Sequence, residues 1–261
     1  MISLESVSCS YATRPVLDSL SARLNASDFT IIIGPNGAGK STLFNAIMGF
    51  MPLNSGRIRI FDRDLRDYSR LELARLISFV PQESSFTFDY RVEELVLMGR
   101  YPHLGLMQSW GETDRLVAAK ALQSMGLDGF GERWYSRLSG GEKQRVLIAR
   151  ALAQETRFIF LDESLSQLDI NFQLEIMNLL QKVHRESGQS IVLISHNLNL
   201  AANYASRLIF LKEGRILAEG SPDALMNPAE LRDLFGLELR TALNPLSGRM
   251  NIVYPGAAKN L

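Results

Sequence analysis

The strongest chemical signal in this sequence is a glycine-rich segment that follows an apolar run. It consists of Gly34, Pro35, Asn36, Gly37, Ala38, Gly39, Lys40, Ser41 and Thr42, and it fits the pattern G-x-x-x-x-G-K-[ST]. Glycines let successive backbone N–H groups converge on phosphate oxygens. In such a loop the lysine reaches the β- and γ-phosphates of a nucleotide, and the serine hydroxyl ligates Mg²⁺. The segment therefore predicts a nucleotide site at Lys40 and Ser41.

A second candidate group stands at the end of another apolar run. Residues 158–161 are followed by Asp162 and Glu163. A carboxylate at the end of a buried strand can hold Mg²⁺, so we expect Asp162 to be a metal ligand. Glu163 is the candidate to polarise the attacking water, because phosphoryl transfer needs an oriented nucleophile. The competing interpretation is an ordinary surface pair of acids at a strand end.

The pattern of apolar residues indicates the α/β scaffold that would position these groups. Short apolar runs bounded by Gly, Pro or charged residues predict buried, mostly parallel strands at 29–33, 77–80, 158–161 and 191–194. Antiparallel strands are predicted at 57–61 and, joined by a turn at Glu213-Gly214, at 207–211 and 215–219. Helical spacing at 92–98, 114–125 and 142–153, without a strand among them, predicts a helical insert.

Composition narrows the class of protein. The chain has 261 residues with 28 basic and 28 acidic side chains, so no positive excess favours nucleic acid as a partner. Cys9 is the single cysteine, which favours a reducing compartment.

No segment of the sequence is predicted to span a membrane or to act as a signal peptide. The longest stretch without Asp, Glu, Lys or Arg is 187–206, and it carries too many polar residues to span a membrane. Residues 1–11 do not resemble a signal peptide. A tail from residue 241 contains Pro and Gly and is predicted to be loose.

Residues 138–145 read LSGGEKQR and precede a helical pattern. With the phosphate loop upstream and Asp162-Glu163 downstream, this segment closely resembles the signature of ABC-type ATPases. The resemblance implies an ABC ATPase fold, which is a RecA-like P-loop core with a mixed sheet, an antiparallel β portion near the N-terminus and a helical insert. The expected parts are a core segment at 1–90, a helical signature subdomain at 91–153, a second core segment at 154–240 and an extension at 241–261.

The resemblance also implies roles for individual residues. In the family, two copies enclose two ATP molecules with Mg²⁺, and the signature of one copy contacts ATP bound to the other; here those residues are Ser139, Gly140, Gly141 and Glu142. Tyr11 matches an aromatic residue that stacks on adenine, and Gln82 matches a glutamine that contacts Mg²⁺ and water. His196 matches a switch histidine that senses the γ-phosphate, and Asp169 matches a loop that communicates across the dimer. Each of the four residues also has a purely structural interpretation. Tyr11 would be an ordinary tyrosine at a strand edge and Gln82 an exposed loop residue. His196 would be a structural histidine and Asp169 a plain helix N-cap.

Three positions depart from the family pattern. Ser164-Leu165 follows Glu163 where Pro-Thr is common, Asn197 follows His196 where Asp is common, and Glu142 replaces the usual Gln. None of these changes removes a group that touches phosphate, so we expect hydrolysis to be retained. We expect Ser164-Leu165 to affect the rate of hydrolysis or the signal between the two copies.

Residues 98–103, MGRYPH, look like the start of the insert in ATPases of metal-chelate importers, which handle ferric siderophores, haem and cobalamin, with relatives that handle molybdate. Arg100 and His103 could bind metal or phosphate, although a docking or structural role is favoured. The resemblance implies a homodimer, two transmembrane permease subunits and a substrate-binding protein as partners, at the cytoplasmic face of the plasma membrane. The alternative is a soluble ABC ATPase without a transporter, for example in iron–sulfur cluster assembly; the cargo itself is not encoded in this chain.

Overall fold

The structure is a computed structural model that describes residues 1–82, 84 and 86–253. The strands are β1 Ile2–Tyr11, β2 Arg14–Leu24, β3 Phe29–Ile33, β4 Ser55–Ile60, β5 Arg63–Asp64, β6 Ile77–Val80, β7 Phe158–Asp162, β8 Ser190–Ile194, β9 Arg207–Lys212, β10 Arg215–Gly220, β11 Arg240–Leu243 and β12 Met250–Val253. The helices are α1 Lys40–Ile47, α2 Arg70–Ala74, α3 Val92–Leu97, α4 Glu112–Ser124, α5 Gly140–Ala153, α6 Ile170–Ser187, α7 Leu198–Tyr204, α8 Pro222–Leu225 and α9 Pro228–Phe235. Short 3-10 helices occupy Leu65–Asp67, Met98–His103 and Tyr135–Arg137.

The chain divides into two compact units. The first comprises Met1–Leu65 with Val192–Leu261, and the second comprises Arg66–Ile191. The first unit contains an antiparallel sheet of order β2-β1-β4-β5. It also contains a mixed arrangement in which β9 pairs in parallel with β3 and antiparallel with β10. The predicted α/β fold with an antiparallel portion near the N-terminus is thus confirmed.

The long hairpin of β1 and β2 has no clear signal in the sequence. Its pairing shifts register three times, between Leu4 and Val7, between Val7 and Cys9, and between Cys9 and Ser10. Ser6 and Ser19 lie at positive φ, 48° and 50°. Such bulges interrupt the alternation of apolar and polar residues from which a strand is usually predicted.

The second unit contains the parallel pair of β6 and β7 and the helical insert. β7 is buried along its whole length, and α5 packs on α3, α4 and β6. Helix α3 begins at Val92, as predicted, and α4 and α5 each begin two residues before their predicted starts, at Glu112 and Gly140. The predicted helical insert therefore lies within this unit.

The C-terminal tail differs from the predicted loose extension. Strands β11 and β12 pair from Arg240↔Val253 to Leu243↔Met250. The turn between them is closed by Asn244, whose side chain accepts a hydrogen bond from the Leu246 N–H at 3.0 Å, and Gly248 supplies a left-handed residue at φ 67°. Residues that read as loop formers therefore make a hairpin turn. Residues 254–261 lie outside the described residues. Within the described part of the chain, no helix is both long and apolar enough to span a bilayer.

Candidate functional site

The glycine-rich loop lies between a buried strand and a helix in the first unit. All five residues of β3 are buried, and the chain then passes through Gly34 to α1 at Lys40. A Cβ at Gly34 would lie 2.2 Å from the carbonyl oxygen of Leu211, so a side chain is excluded there by β9. Gly37 and Gly39 lie at φ 79° and 100°, where other residues are strained. The sequence pattern therefore corresponds to a loop whose backbone only glycines can adopt.

Lys40 closes this loop. Its side chain is buried, and its ammonium group donates to the carbonyl oxygens of Gly34 at 2.9 Å and Pro35 at 3.2 Å. Ser41 is exposed beside it in the first turn of α1. That turn carries no acidic residue, so the positive end of the helix dipole remains available to an anion. A cationic, N–H-rich loop of this kind fits a polyphosphate.

Tyr11 belongs to a hairpin that approaches the same loop. It ends β1, pairs with Arg14 at the start of β2, and is 53% exposed. Further along β2, Val16 and Leu17 approach Gly39 so closely that a Cβ there would lie 2.9 Å from Leu17 Cδ2. Val16 and Leu17 were not singled out by the sequence, because two aliphatic residues on a strand carry no distinguishing pattern. Their position places the hairpin, with its exposed aromatic tip, next to the phosphate loop.

His196 follows β8 in the first unit. The Ser195 N–H donates to the carbonyl oxygen of Ile32 in β3, at 3.2 Å, so the histidine segment begins beside the strand that leads into the phosphate loop. His196 is exposed. Asn197 caps α7 by accepting the Leu200 N–H at 3.0 Å. Asn caps as well as Asp does, so the departure from the common His-Asp pair retains the helix start.

The second unit brings together Gln82, Asp162 and Glu163. β6 and β7 are parallel, with Val80 opposite Leu161. Gln82 and Glu163 each lie two residues beyond this pair, so both follow the carboxyl ends of the two parallel strands. Gln82 is exposed. Asp162 is buried at the end of β7. Glu163 has φ 45°, an uncommon conformation for a residue with a side chain, and it turns the chain sharply out of the strand.

The segment after Glu163 is held by α6. Leu165 is buried, and Gln173 of α6 donates to the carbonyl oxygens of Leu165 at 3.1 Å and Leu168 at 2.9 Å. Asp169 stands at the N-cap position of α6, but its side chain does not cap the helix. The plain N-cap interpretation of Asp169 therefore lacks its hydrogen bond. Gln173 is a supporting residue that no sequence motif marked.

The signature residues start α5. The Ser139 hydroxyl accepts the Glu142 N–H at 3.4 Å, and the Glu142 carboxylate accepts the Ser139 N–H at 2.8 Å and its hydroxyl at 2.7 Å. These bonds form a capping box. Hydrogen bonds from the Ser139 N–H, then from its hydroxyl, lower the pKa of Glu142, so the carboxylate is ionised at neutral pH. Glu142 thus acts as the reciprocal cap of the helix that presents Ser139.

The two signature glycines have different surroundings. A Cβ at Gly141 would lie 2.6 Å from the Phe172 ring of α6, whereas one at Gly140 would meet only Leu168 Cδ2 at 3.8 Å. Gly141 is therefore required for α5 to pack against α6, which is a structural demand in addition to any contact with phosphate. Phe172 was not predicted, because its contact with Gly141 depends on tertiary packing.

Arg100 and His103 have structural partners within the second unit. The Arg100 guanidinium is buried and bonds Asp114 at 3.0 Å, Glu155 at 2.6 Å and the carbonyl oxygen of Ala153 at 2.7 Å. The His103 ring shares a 2.9 Å hydrogen bond with the Gln154 carbonyl oxygen. The structural interpretation of these two residues is supported over metal or phosphate binding.

Comparison with known proteins decides the family. The family model described as ABC transporter matches residues 17–166, more than half of the chain. The chain belongs to the ABC transporter family. Its fold is the ABC ATPase fold, and it is an ATPase.

Two curated relatives match this ABC ATPase over most of both chains. It is 35% identical over 249 residues to the ferric enterobactin transport ATP-binding protein FepC of Escherichia coli strain K12, covering 95% of this chain and 92% of FepC. It is also 35% identical over 235 residues to the hemin import ATP-binding protein HmuV of Rhodococcus jostii strain RHA1, covering 90% and 80% of the two chains.

Solved structures agree with the sequence matches. An inward-facing conformation of a putative metal-chelate type ABC transporter superposes with a TM-score of 0.83 at 29% identity, covering 97% of each chain. An ATP-binding cassette solved as a dimer in a post-hydrolysis state with ADP and Pi superposes with a TM-score of 0.74 at 30% identity, covering 85% of this chain and 99% of that one.

Proposed function

We propose that this ABC ATPase is the ATP-hydrolysing subunit of an importer for metal chelates. The observation that carries the proposal is the match over nearly the whole chain to an ATP-binding protein of ferric enterobactin transport. The match to a hemin import protein supports the same class of cargo. We therefore favour a ferric siderophore or haem over molybdate. A role in iron–sulfur cluster assembly without a transporter is not favoured, because these relatives serve transport.

The residues of the first unit bind ATP in this proposal. Backbone N–H groups of residues 34–42 and the Lys40 ammonium hold the phosphates, and Tyr11 stacks on adenine from its exposed hairpin tip. His196 senses the γ-phosphate. The buried Lys40 and the left-handed glycines of the loop support this assignment.

In this proposal three oxygen-bearing side chains are the Mg²⁺ ligands, and Glu163 orients the water. Asp162 and the Ser41 hydroxyl are hard oxygen donors of the kind Mg²⁺ selects, and Gln82 adds an amide oxygen. Bound to these groups, Mg²⁺ would neutralise charge on the β- and γ-phosphates. Glu163 accepts a hydrogen bond from the attacking water and so aims it at the γ-phosphorus. Glu163 follows β7 directly, and its left-handed backbone conformation, φ 45°, ends the strand at this residue.

Two copies of the chain complete the sites. We propose that Ser139, Gly140, Gly141 and Glu142 of one copy close on ATP bound to the other, and that Asp169 signals between copies. The dimeric cassette with ADP and Pi supports this arrangement. The homodimer then drives two transmembrane permease subunits at the cytoplasmic face of the membrane, with a substrate-binding protein delivering the chelate. Closure with ATP and reopening after hydrolysis provide the conformational cycle.

Uptake in cells tests the cargo class. A strain lacking this chain is complemented with the wild type or with Lys40→Ala, and uptake of a ⁵⁵Fe-labelled siderophore, of hemin and of molybdate is measured. We expect wild type alone to restore uptake of an iron chelate, with molybdate uptake equal in all strains. Restored molybdate uptake, or chelate uptake that does not depend on this chain, would contradict the proposal.

A further inference from the structure

The C-terminal hairpin is fastened to one face of helix α7. Asn199 and Asn203 lie one turn apart on this helix and both bond the hairpin strand β12. Ile252 of β12 is 4% exposed, so the strand also buries an apolar side chain. Asn199, Asn203 and Ile252 lie outside the residues proposed to contact ATP.

Asn199 pairs with β12 as a neighbouring strand would. Its Oδ1 accepts the Ile252 N–H at 2.7 Å, and its Nδ2 donates to the Ile252 carbonyl oxygen at 3.2 Å. Both backbone groups of one residue are thus satisfied by a single side chain, across a sequence separation of 53 residues. The two bonds fix the amide plane of Asn199 and hold this face of α7 against β12.

Asn203 extends the same contact. It exchanges two amide hydrogen bonds with Asn251, each 3.2 Å, and its Oδ1 accepts the Ser247 hydroxyl at 2.7 Å. Asn251 also accepts a bond from Asn244 in the hairpin turn, at 3.0 Å. The network ties the turn of the hairpin to the last turn of α7. A connected polar network of this kind restricts motion more than isolated bonds do.

The other end of α7 leads directly to His196. Asn197 caps α7 and follows His196 without an intervening residue, while Ser195 is bonded to Ile32 of β3. The histidine therefore sits on a three-residue connection whose ends are β8 and α7. Any shift or rotation of α7 changes the backbone direction at His196, because only Asn197 separates the two.

We propose that the C-terminal hairpin is a positioning element for His196, acting through Asn199 and Asn203 on helix α7. The inference deepens the proposed function, since it rests on His196 contacting the γ-phosphate during turnover. Asn199 and Asn203 are positioning residues and do not touch ATP. Their loss misplaces the histidine without altering the phosphate loop or Tyr11, which determine how tightly ATP binds.

Histidine NMR tests the positioning directly. The chain has three histidines, so ¹³C-histidine labelling of untagged protein gives three ring signals that single His→Gln variants assign. His103 and His184 bond the carbonyl oxygens of Gln154 and Gln189 in the second unit and act as internal references. In Asn199→Ala/Asn203→Ala we expect the His196 signal to shift or broaden while the references stay fixed. The matched control is Leu246→Ala, at an exposed position in the hairpin turn, which should leave all three signals unchanged.

Kinetics separates positioning from general stabilisation. We expect the double variant to lower kcat about tenfold and to change the KM for ATP by less than about twofold, since small misplacements near reacting groups lower the rate more than affinity. In a His196→Ala background the same two changes should cause no further loss. Leu246→Ala should have wild-type turnover.

An unchanged His196 signal in the double variant, or a kcat loss that is equally large without His196, would overturn the inference. Movement of all three histidine signals would also overturn it, because the hairpin would then support the fold as a whole. Failure of the proposed function has a different outcome: His196→Ala itself would turn over ATP at the wild-type rate, whatever the hairpin does to the ring signal.

Discussion

The ammonium nitrogen of Lys40 lies 2.9 Å from the carbonyl oxygen of Gly34, so the lysine folds back over the loop that begins its own helix. Its side chain is buried, so the loop holds a positive charge at this position. A buried ammonium is stabilised when it has acceptors, and phosphate oxygens are stronger acceptors than backbone carbonyls. The geometry thus prepares Lys40 to exchange carbonyl partners for phosphate.

Replacing Lys40 by Ala should lower ATP turnover by at least about 100-fold, the usual scale for losing one charged group that stabilises a transition state. Released phosphate measures the rate, and thermal unfolding checks that the loop survives the loss of two hydrogen bonds. Lys182→Ala is the matched control, because that lysine lies on the exposed face of α6. Turnover near the wild-type rate in Lys40→Ala would remove this residue from the site.

Glu163→Gln should retain nucleotide binding but stop hydrolysis. Gln has the same size and can occupy the same sharp turn at φ 45°, but it cannot act as a carboxylate toward water. With ATP and Mg²⁺ we expect a long-lived dimer, measured by light scattering during size exclusion. Wild-type protein, which hydrolyses its ATP, should elute mainly as a monomer under the same conditions. Monomer alone in the variant would argue against a dimer closed by ATP.

Gly141→Ala should destabilise the protein, whereas Gly140→Ala should not. The added methyl at 141 meets the Phe172 ring at 2.6 Å, while at 140 the nearest atom is 3.8 Å away. Overpacking of this kind costs about 1–3 kcal/mol of unfolding free energy, and alanine in an open helical position is neutral or stabilising. Denaturant unfolding of the two variants measures the difference. Equal stabilities would show that Phe172 moves aside freely.

Asp114→Asn should change how stability depends on pH. Hydrogen bonds from the Gly111 N–H and from Arg100 lower the pKa of Asp114, so its ionised form stabilises the folded state. That contribution is complete above the unfolded pKa of about 4 and is lost as the pH falls through the lower folded value. The gap in unfolding free energy between wild type and variant should therefore narrow below about pH 4. The exposed Asp128→Asn serves as control, and a gap independent of pH would contradict the prediction.

At neutral pH the unfolding free energy of Asp114→Asn should be lower than that of the wild type. The difference should be at the low end of the range of about 3–5 kcal/mol seen when one partner of a buried ion pair is removed. Arg100 keeps Glu155 and the Ala153 carbonyl oxygen as acceptors, which limits the loss. Because this cluster joins the residues Met98–His103 to α4 and the end of α5, its weakening should also lower the unfolding temperature.

The phosphate loop could be predicted from the sequence because its chemistry is local. A Cβ at Gly34 would clash with the carbonyl oxygen of Leu211, and Gly37 and Gly39 have positive φ angles that favour glycine. Strands β3 and β6 match their predicted bounds because both are short, apolar and bounded by turn residues. Local pattern is sufficient where the sequence itself marks both ends of a short apolar element.

Other features depend on contacts between distant residues, which a single sequence does not record. The bonds of Asn199 to Ile252 and the contact of Phe172 with Gly141 join segments far apart along the chain. The left-handed conformation of Glu163 has no signal, because glutamate rarely adopts it. The Pro and Gly residues of the tail predict a loose segment, whereas Pro245 and Gly248 lie in the turn of a hairpin.

The central claim is that two copies of the chain share each ATP between the phosphate loop of one and Ser139 of the other. Mixing tests it most directly: Lys40→Ala protein and Ser139→Arg protein are each inactive alone, but a mixed dimer contains one intact pair of loop and signature. We predict that ATP turnover reappears when the two inactive proteins are combined and rises with the fraction of mixed dimer. Turnover that stays absent on mixing, or Ser139→Arg protein that is active alone, would contradict the account.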